Sequence, residues 1–179
     1  NVEADNLISF VCRQTSVANT QKVIVSNDKD FFQILDDDTI LHRPTQKETL
    51  NRNSIIEKYG IHPNNFALAR AMAGDPSDNL PGVRSVGLPT VKKRFPFLAE
   101  ERSYTIDEIL NHCENVDSKL KIYQSVLENQ ELIENNYKIM QLYSPFISPQ
   151  GKRKIKYNID NAEYLFNKTE IMKMMMEDG

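Results

Sequence analysis

Three short pairs of acidic residues in the first half of the chain could bind metal ions. The pairs are Glu3 with Asp5, Asp28 with Asp30, and Asp75 with Asp78. Mg²⁺ is usually held by one or two carboxylates together with waters and phosphate oxygens of a substrate. Two such ions about 4 Å apart activate a water and stabilise the leaving oxygen of a phosphodiester. The pairs therefore predict metal-assisted phosphodiester hydrolysis.

Each acidic pair also has an ordinary structural explanation. Taken singly, Asp28 and Asp30 are more typical of a turn and a helix cap than of a metal site. Glu3 and Asp5 would stabilise the start of a helix through its dipole. The third pair is stronger evidence for a functional site, because a phosphate-binding pattern follows it. The presence of all three pairs in this order is stronger evidence than any single pair.

The segment that follows the third pair, residues 80–91, is rich in glycine and proline. Gly82 and Gly87 flank small and apolar residues, as in a helix-hairpin-helix turn whose amides face a phosphate. The alternative is an ordinary structural turn. Contacts of this kind hold the DNA backbone without reading its sequence. The predicted DNA-binding residues are Gly82, Val83, Arg84, Ser85, Val86, Gly87, Thr90, Lys92, Lys93 and Arg94.

Charge along the chain is uneven, although the formal net charge is −3. Residues 80–99 contain no acid and four basic residues. A phosphate backbone responds to such a local field rather than to the total charge. A second basic run, 152–156, is more typical of a solvated surface strand than of a DNA contact.

The composition, 179 residues of which 40% are hydrophobic, fits one moderate core or one core plus a small satellite. Cys12 and Cys113 lack metal-finger or redox-motif spacing, so we interpret them as reduced thiols of a cytoplasmic protein. The chain lacks an apolar run near the roughly 20 residues of a membrane helix and a signal-peptide pattern. We expect no membrane partner.

Hydrophobic periodicity predicts the elements that position the acids. A helix begins at the first pair, and a buried strand over 22–26 delivers the second pair at its carboxyl end, where α/β proteins bind ligands. A helix over 64–73 delivers the third pair. The other predicted elements are a short helix from Asp30, a strand over 39–42, helices over 53–59, 117–135 and 170–176, a capping box at Thr105, and an irregular connection around Pro145, Pro149 and Gly151.

Three stretches together resemble the 5′-nuclease family: Glu3–Asn6, Val25–Leu35 and Met72–Gly87. That family includes flap endonucleases, phage 5′-exonucleases of the ribonuclease H type and the 5′-nuclease domain of bacterial repair polymerases. The resemblance runs to about Phe95, roughly half the chain. It implies an α/β fold with a PIN-like nuclease core and a mainly helical helix-hairpin-helix subdomain.

The resemblance also implies a division of the chain and of its ligands. Residues 1–61 would be the C-terminal part of the nuclease core, 62–145 the helix-hairpin-helix subdomain and 146–179 an extension. Two Mg²⁺ ions, for which Mn²⁺ could substitute, would bind the acids, and K⁺ could bind the hairpin. Carried over, Glu3 and Asp5 serve the first metal, and Asp28, Asp30, Asp75 and Asp78 serve the second.

The implied partner is duplex DNA with a 5′ flap, a nick or an RNA primer end, bound by a monomer in a bacterial or phage-infected cell. This chain departs from the family at Asn6, where a second aspartate is usual, at Ser85, where glycine is common, and at Pro89, where lysine is frequent. The family's opening strand and its basic arch would precede Asn1. We therefore expect an upstream part of the same protein as a further partner.

Two functions remain open on the sequence. One is a structure-specific 5′-nuclease, acting as a 5′-3′ exonuclease or flap endonuclease by a two-metal mechanism. The other is a catalytically silent duplex-DNA-binding module derived from such a nuclease, which Asn6 and the absent upstream acids favour for the isolated chain. A small-molecule phosphatase or a calcium module fits poorly, because acids separated by tens of residues do not form one ion-binding loop.

Overall fold

A computed structural model of the chain describes residues 3–14, 18–118, 120–143, 147–161 and 168–177. These residues form a mixed α/β fold with a small sheet and mainly helices. The chain divides into two compact units, Asn1–Ile147 and Ser148–Gly179. None of the helices in the described part is long and apolar enough to cross a membrane.

The secondary-structure elements are named in chain order. The strands are β1 (Lys22–Val25), β2 (Thr39–Arg43) and β3 (Glu48–Leu50). Short 3₁₀ turns cover Asp30–Ile34, Pro76–Asp78 and Pro96–Ala99. The helices are α1 (Ala4–Cys12), α2 (Arg52–Tyr59), α3 (Pro63–Ala73), α4 (Leu88–Arg94), α5 (Ile106–Asn115), α6 (Lys121–Glu128), α7 (Gln130–Met140), α8 (Pro149–Asp160) and α9 (Lys168–Glu177).

The sheet has the order β1-β2-β3. β1 pairs with β2 in parallel, and β3 pairs with β2 antiparallel. A parallel pair needs a crossover connection, and the 3₁₀ turn Asp30–Ile34 lies in it. Phe31 and Phe32 of that turn are buried. Their burial anchors the connection at the point where it leaves the carboxyl end of β1.

Helix α3 runs through the core of the first unit. Nine of its eleven residues are buried, and it packs against α7 and against the turn Asp30–Ile34. The ring of Phe66 lies 5.2 Å from that of Phe32 and 5.4 Å from that of Tyr59, both edge-on. The helix ends at Gly74, so the burial of α3 fixes where the following acidic loop begins.

Hydrogen bonds between distant residues join α1, the crossover turn and the end of α7. The Ser9 hydroxyl donates to the carbonyl of Leu142 at 2.7 Å. The Gln33 amide donates to the carbonyl of Met140 at 2.9 Å and accepts from the amide of Leu142 at 2.8 Å. Gln33 is buried, where unsatisfied polar groups are costly, so these bonds hold the three elements together.

Several predicted elements are confirmed. The strand over 22–26 is β1, and the helices over 53–59 and 64–73 are α2 and α3. Gly60 ends α2 with a left-handed φ of 64°. Thr105 and Glu108 form the predicted capping box at the start of α5.

Three predictions are wrong. The single helix over 117–135 is two helices, because Asn129 (φ −116°, ψ 27°) leaves the helical region between α6 and α7. The strand over 152–156 lies inside α8. Pro149 and Gly151, expected in an irregular connection, form the first turn of α8, where proline is tolerated and Ser148 caps the Gly151 amide. Pro145 lies outside the described residues, and β3 was not predicted.

Candidate metal centre

Five of the six predicted carboxylates line one cleft of about 490 Å³. Asp75 lies in an adjoining cleft of about 330 Å³, which it shares with Asp28, Asp78 and Arg70. Acids that are tens of residues apart in sequence thus meet in space. The five that line the larger cleft are Glu3, Asp5, Asp28, Asp30 and Asp78.

Three of these acids are close enough to share a cation. Asp5, Asp28 and Asp30 each offer a carboxylate oxygen, and these oxygens lie within 4.8 Å of one another. An all-oxygen donor set suits hard cations such as Mg²⁺ or Mn²⁺ rather than metals that prefer thiolate or imidazole ligands. The residues present therefore fit the metal that the sequence implied.

The first two pairs lie at the start of α1 and directly after β1. Glu3 is the N-cap residue of α1, and Asp5 lies in its first turn. Beyond β1, the Asp30 amide donates to Asp28 Oδ1 at 2.8 Å, and the Asp28 amide donates to the Ser26 hydroxyl at 3.1 Å. This turn directs the acids away from the sheet and towards the start of α1.

The third pair lies in a loop that is closed at its base. The backbone groups of Asp75 and Leu80 exchange hydrogen bonds of 2.8 and 2.9 Å. Gly74 and Gly82 touch so closely that a Cβ on Gly82 would lie 2.0 Å from the Ala73 carbonyl oxygen. Only glycine fits there, and the contact fixes the loop that carries Asp78.

Both carboxylate oxygens of Asp75 already have partners. Oδ1 accepts from the amide of Ser77 at 2.9 Å and from its hydroxyl at 2.5 Å. Oδ2 accepts from the guanidinium of Arg70. The other terminal nitrogen of Arg70 lies 2.8 Å from Asp30 Oδ1. Arg70 thus joins the second acidic pair to the third.

The predicted hairpin follows the acidic loop directly. Within Gly82–Gly87, Val83 and Val86 are buried while the residues between them are exposed. Ser85 has φ 65°, a left-handed conformation that favours glycine. The hairpin leads into α4, which carries the basic run Lys92–Arg94 in its last turn. DNA contact and K⁺ binding at this segment remain predictions.

Comparison with known proteins places this geometry in a family. Residues 1–60 match the family described as 5′-3′ exonuclease, N-terminal resolvase-like domain. A 5′-3′ exonuclease of Buchnera aphidicola is 31% identical over 97% of this chain and 57% of its own length. The chain is thus similar to the 5′-nuclease family over nearly its whole length.

Other relatives and solved structures agree with the assignment. DNA polymerase I of Mycobacterium leprae is 28% identical over 99% of this chain and 20% of its own length. A zinc-bound T5 5′-exonuclease has a TM-score of 0.72 at 19% identity, over 90% of this chain and 60% of that chain. A T5 D15 flap endonuclease in a pseudo-enzyme–product complex with DNA and metal ions has a TM-score of 0.70 at 18% identity, over 88% of this chain and 58% of that chain.

These matches confirm the predicted family and the predicted PIN-like α/β nuclease fold. The chain spans little more than half the length of the Buchnera exonuclease. The boundaries predicted after residues 61 and 145 stay predictions.

Burial and mutual repulsion change the pKa values of the carboxyl groups in this acidic site. Burial raises the pKa of Asp30 to about 6, and the neighbouring acids add to the rise while the charge of Arg70 opposes it. Burial also raises the pKa of Asp5, with contributions from Asp28 and Glu3. Burial raises the pKa of Asp75 too, but the Ser77 hydrogen bonds and Arg70 outweigh it and leave that pKa below its usual value.

Three residues that shape the site were not predicted from the sequence. Arg70 is buried in α3, Ser77 holds Asp75, and Asn136 of α7 donates to the carbonyls of Ala71 and Pro81 on either side of the acidic loop. A signal existed for Arg70, because it is a charged residue in the middle of the apolar stretch 66–73. Ser77 and Asn136 carry no comparable signal, since polar residues in loops and helices are common.

Proposed function

We propose that the protein is a structure-specific 5′-nuclease that hydrolyses phosphodiester bonds of DNA or RNA–DNA ends with Mg²⁺. It would act as a 5′-3′ exonuclease or a flap endonuclease. The main observation behind the proposal is that five acids from three separate stretches line one cleft. The 5′-3′ exonuclease relatives and the flap endonuclease fold support the same activity.

The acids divide into ligand sets for a two-metal mechanism. Glu3 and Asp5 are proposed ligands of the first Mg²⁺, and Asp28, Asp30 and Asp78 of the second. Asp75 could join the second set through Oδ2, which it would then share between the metal and Arg70. When bound, such ions supply an activated water and charge stabilisation at the leaving oxygen. The carboxylates would hold this charge, and Leu80 and Met140 form part of the cleft wall.

The proposed DNA partner is duplex with a 5′ flap, a nick or an RNA primer end. Lys92 and Lys93 are exposed on α4, and Arg84 is exposed in the hairpin. These cations would hold the phosphate backbone without base readout. The T5 D15 flap endonuclease that shares the fold is described in complex with DNA and metal ions, which supports a DNA partner for this chain.

The test is cleavage by the purified full-length protein of 5′-flap and nicked duplexes, with Mg²⁺ or with EDTA. We expect cleavage only with Mg²⁺. Asp28→Asn should lower the cleavage rate by ~100-fold or more, because a metal ligand is removed, while duplex affinity stays within about twofold. Asp38→Asn, at an exposed turn carboxylate, is the matched control and should cleave normally. Intact substrates in Mg²⁺ despite normal duplex binding would refute the proposal.

A catalytically silent duplex-binding module is the second candidate. Asn6, half-buried in α1 beside Asp5, provides an amide oxygen where the family usually has a second carboxylate. Duplex affinity that falls with salt but does not respond to Mg²⁺, together with absence of product, would favour this candidate. Metal-dependent cleavage excludes it.

A further inference from the structure

Arg70 is a buried cation between two of the acidic stretches. Its residue surface is 4% exposed, although arginine is almost never buried unless it is paired. One terminal nitrogen lies 2.8 Å from Asp30 Oδ1, and the other contacts Asp75 Oδ2. The helix that carries Arg70 is fixed in the core, so the guanidinium is held between the loop after β1 and the loop after α3.

The two carboxylates that contact Arg70 are not equivalent. Asp75 accepts hydrogen bonds on both oxygens, two from Ser77 on Oδ1 and one from Arg70 on Oδ2. Asp30 Oδ1 faces Arg70 as an ion pair, and no hydrogen-bond donor reaches it from the residues that the structure describes. Asp30 also belongs to the group of three acids whose oxygens lie within 4.8 Å of one another. Asp30 therefore links this group of converging oxygens to the positive charge of Arg70.

We propose that Arg70 is the built-in counter-ion of the acidic cleft. It stabilises the assembled carboxylates before any divalent ion binds. It also lowers the affinity for a second divalent ion beside Asp30 and Asp75. The proposal rests on the proposed function of the cleft as a metal site. It makes Arg70 a positioning residue, because it acts on the ions through Asp30 and Asp75.

Simple electrostatics gives the direction of the effect. Several carboxylates in one partly buried cleft repel one another, and a guanidinium between them lowers that cost. A divalent ion beside Asp30 would stand only a few ångströms from the guanidinium, so their repulsion weakens its binding. A phosphate of a bound DNA end adds negative charge that offsets this repulsion. One ion should therefore bind the free protein, and a second should bind together with DNA.

The experiment is a calorimetric titration of Mn²⁺ into the purified full-length protein without DNA, paired with thermal unfolding in EDTA. Arg70→Gln keeps a polar side chain and removes the charge. In the variant we expect the second Mn²⁺ ion, which wild type binds only weakly without DNA, to bind about tenfold more tightly. The melting temperature in EDTA should fall by about 5–10 °C. Added Mn²⁺ should then raise the melting temperature more in the variant than in the wild type.

Two further variants separate charge from structure. Arg70→Lys keeps the positive charge but cannot contact both carboxylates at once as the guanidinium does. Its Mn²⁺ affinity should therefore stay within about twofold of wild type, even if its melting temperature is lower. Arg52→Gln is the matched control, because Arg52 also bridges two carboxylates, Asp37 at 2.6 Å and Glu101 at 3.7 Å, away from the cleft. It should leave Mn²⁺ binding unchanged.

Unchanged or weaker Mn²⁺ binding by Arg70→Gln would overturn the proposal, as would an equal change in Arg70→Lys. If Arg70→Gln does not fold in EDTA, Mn²⁺ must restore its folding, and failure to do so also overturns the proposal. These titrations use no nucleic acid. A wild-type protein that binds Mn²⁺ as described but cleaves no substrate would refute the proposed function and leave the role of Arg70 intact.

Discussion

Burial and local charge determine whether the Asp30 carboxyl group is ionised and so available as a metal ligand. Burial raises its pKa to about 6, and nearby acids add to that rise. A protonated carboxyl does not serve as an anionic ligand, so metal binding at Asp30 should strengthen as the pH passes 6. Arg70 acts in the opposite direction on the pKa and keeps part of the population ionised below that pH.

The raised pKa of Asp30 predicts a pH-dependent stability. Its folded value of about 6 exceeds the reference value of 3.8, so the folded protein binds more protons than the unfolded chain between those pH values. The contribution of Asp30 to the free energy of unfolding is therefore present below about pH 4 and disappears as the pH rises through 6.

Asp30→Asn tests this by removing the titration. In EDTA at pH 7 the variant should be more stable than wild type by about 1 kcal/mol, a value reduced for partial solvent exposure. Urea unfolding at pH 4–8 measures it, with Asp38→Asn as the control. A stability difference between wild type and Asp30→Asn that stays constant over this range would contradict the prediction.

At the scale of the elements, the acidic loop depends on the backbone contact at its base. The end of α3 and the start of the hairpin approach so closely that Gly74 and Gly82 touch. The amide of Val83 donates to the carbonyl of Met72 at 2.9 Å, and Asn136 holds the carbonyls on both sides. The loop can therefore present Asp78 only while α3, α7 and the hairpin keep this contact.

Gly82→Ala should break the contact, because the added Cβ would meet the Ala73 carbonyl oxygen at 2.0 Å. We expect a decrease of about 2 kcal/mol or more in the free energy of unfolding, together with weaker Mn²⁺ binding. Gly87→Ala is the matched control: its Cβ would meet nothing nearer than Pro89 Cδ at 3.7 Å, and the change should stay within about 0.5 kcal/mol. Equal decreases in urea unfolding would show that the contact does not limit stability.

At the scale of the whole molecule, the acidic cleft and the basic run of α4 lie in different segments. The acids line the cleft formed by α1, the loop after β1 and the loop after α3, whereas the basic run lies in the last turn of α4. A bound duplex would meet the basic run with its phosphate backbone and bring one end to the acids. Binding and chemistry should therefore respond to different substitutions.

Replacing both Lys92 and Lys93 with alanine should lower duplex affinity alike for every sequence. The slope of log affinity against log salt should flatten by about 1 for each lysine that no longer binds a phosphate. Asp78→Asn should instead reduce cleavage far more than binding. Lys121→Ala with Lys138→Ala, exposed on α6 and α7, is the control pair and should leave both unchanged. Fluorescence anisotropy over a salt series measures the affinities. If Asp78→Asn weakened duplex binding as much as the Lys92 and Lys93 substitutions did, the separation of binding from chemistry would be contradicted.

Local chemistry made much of this protein predictable from sequence. Some features depend only on neighbouring residues, so one sequence is enough to recognise them. They include the strand before Asp28, the glycine that ends α2 and the capping box at Thr105. The types and order of the six acids likewise indicated the nuclease family. Patterns of helix propensity did not show where Asn129 would interrupt a helix, because that choice depends on how α6 and α7 pack.

The sequence by itself determined which groups are available, namely oxygen ligands in three stretches and cations after them. Only the tertiary structure decided how they pair. Ser9 and Leu142 lie 133 positions apart and still share a hydrogen bond, and such contacts bring α1 to the end of β1. Arg70 becomes a counter-ion rather than a surface charge because α3 is buried between two acidic loops, where a charge must be paired.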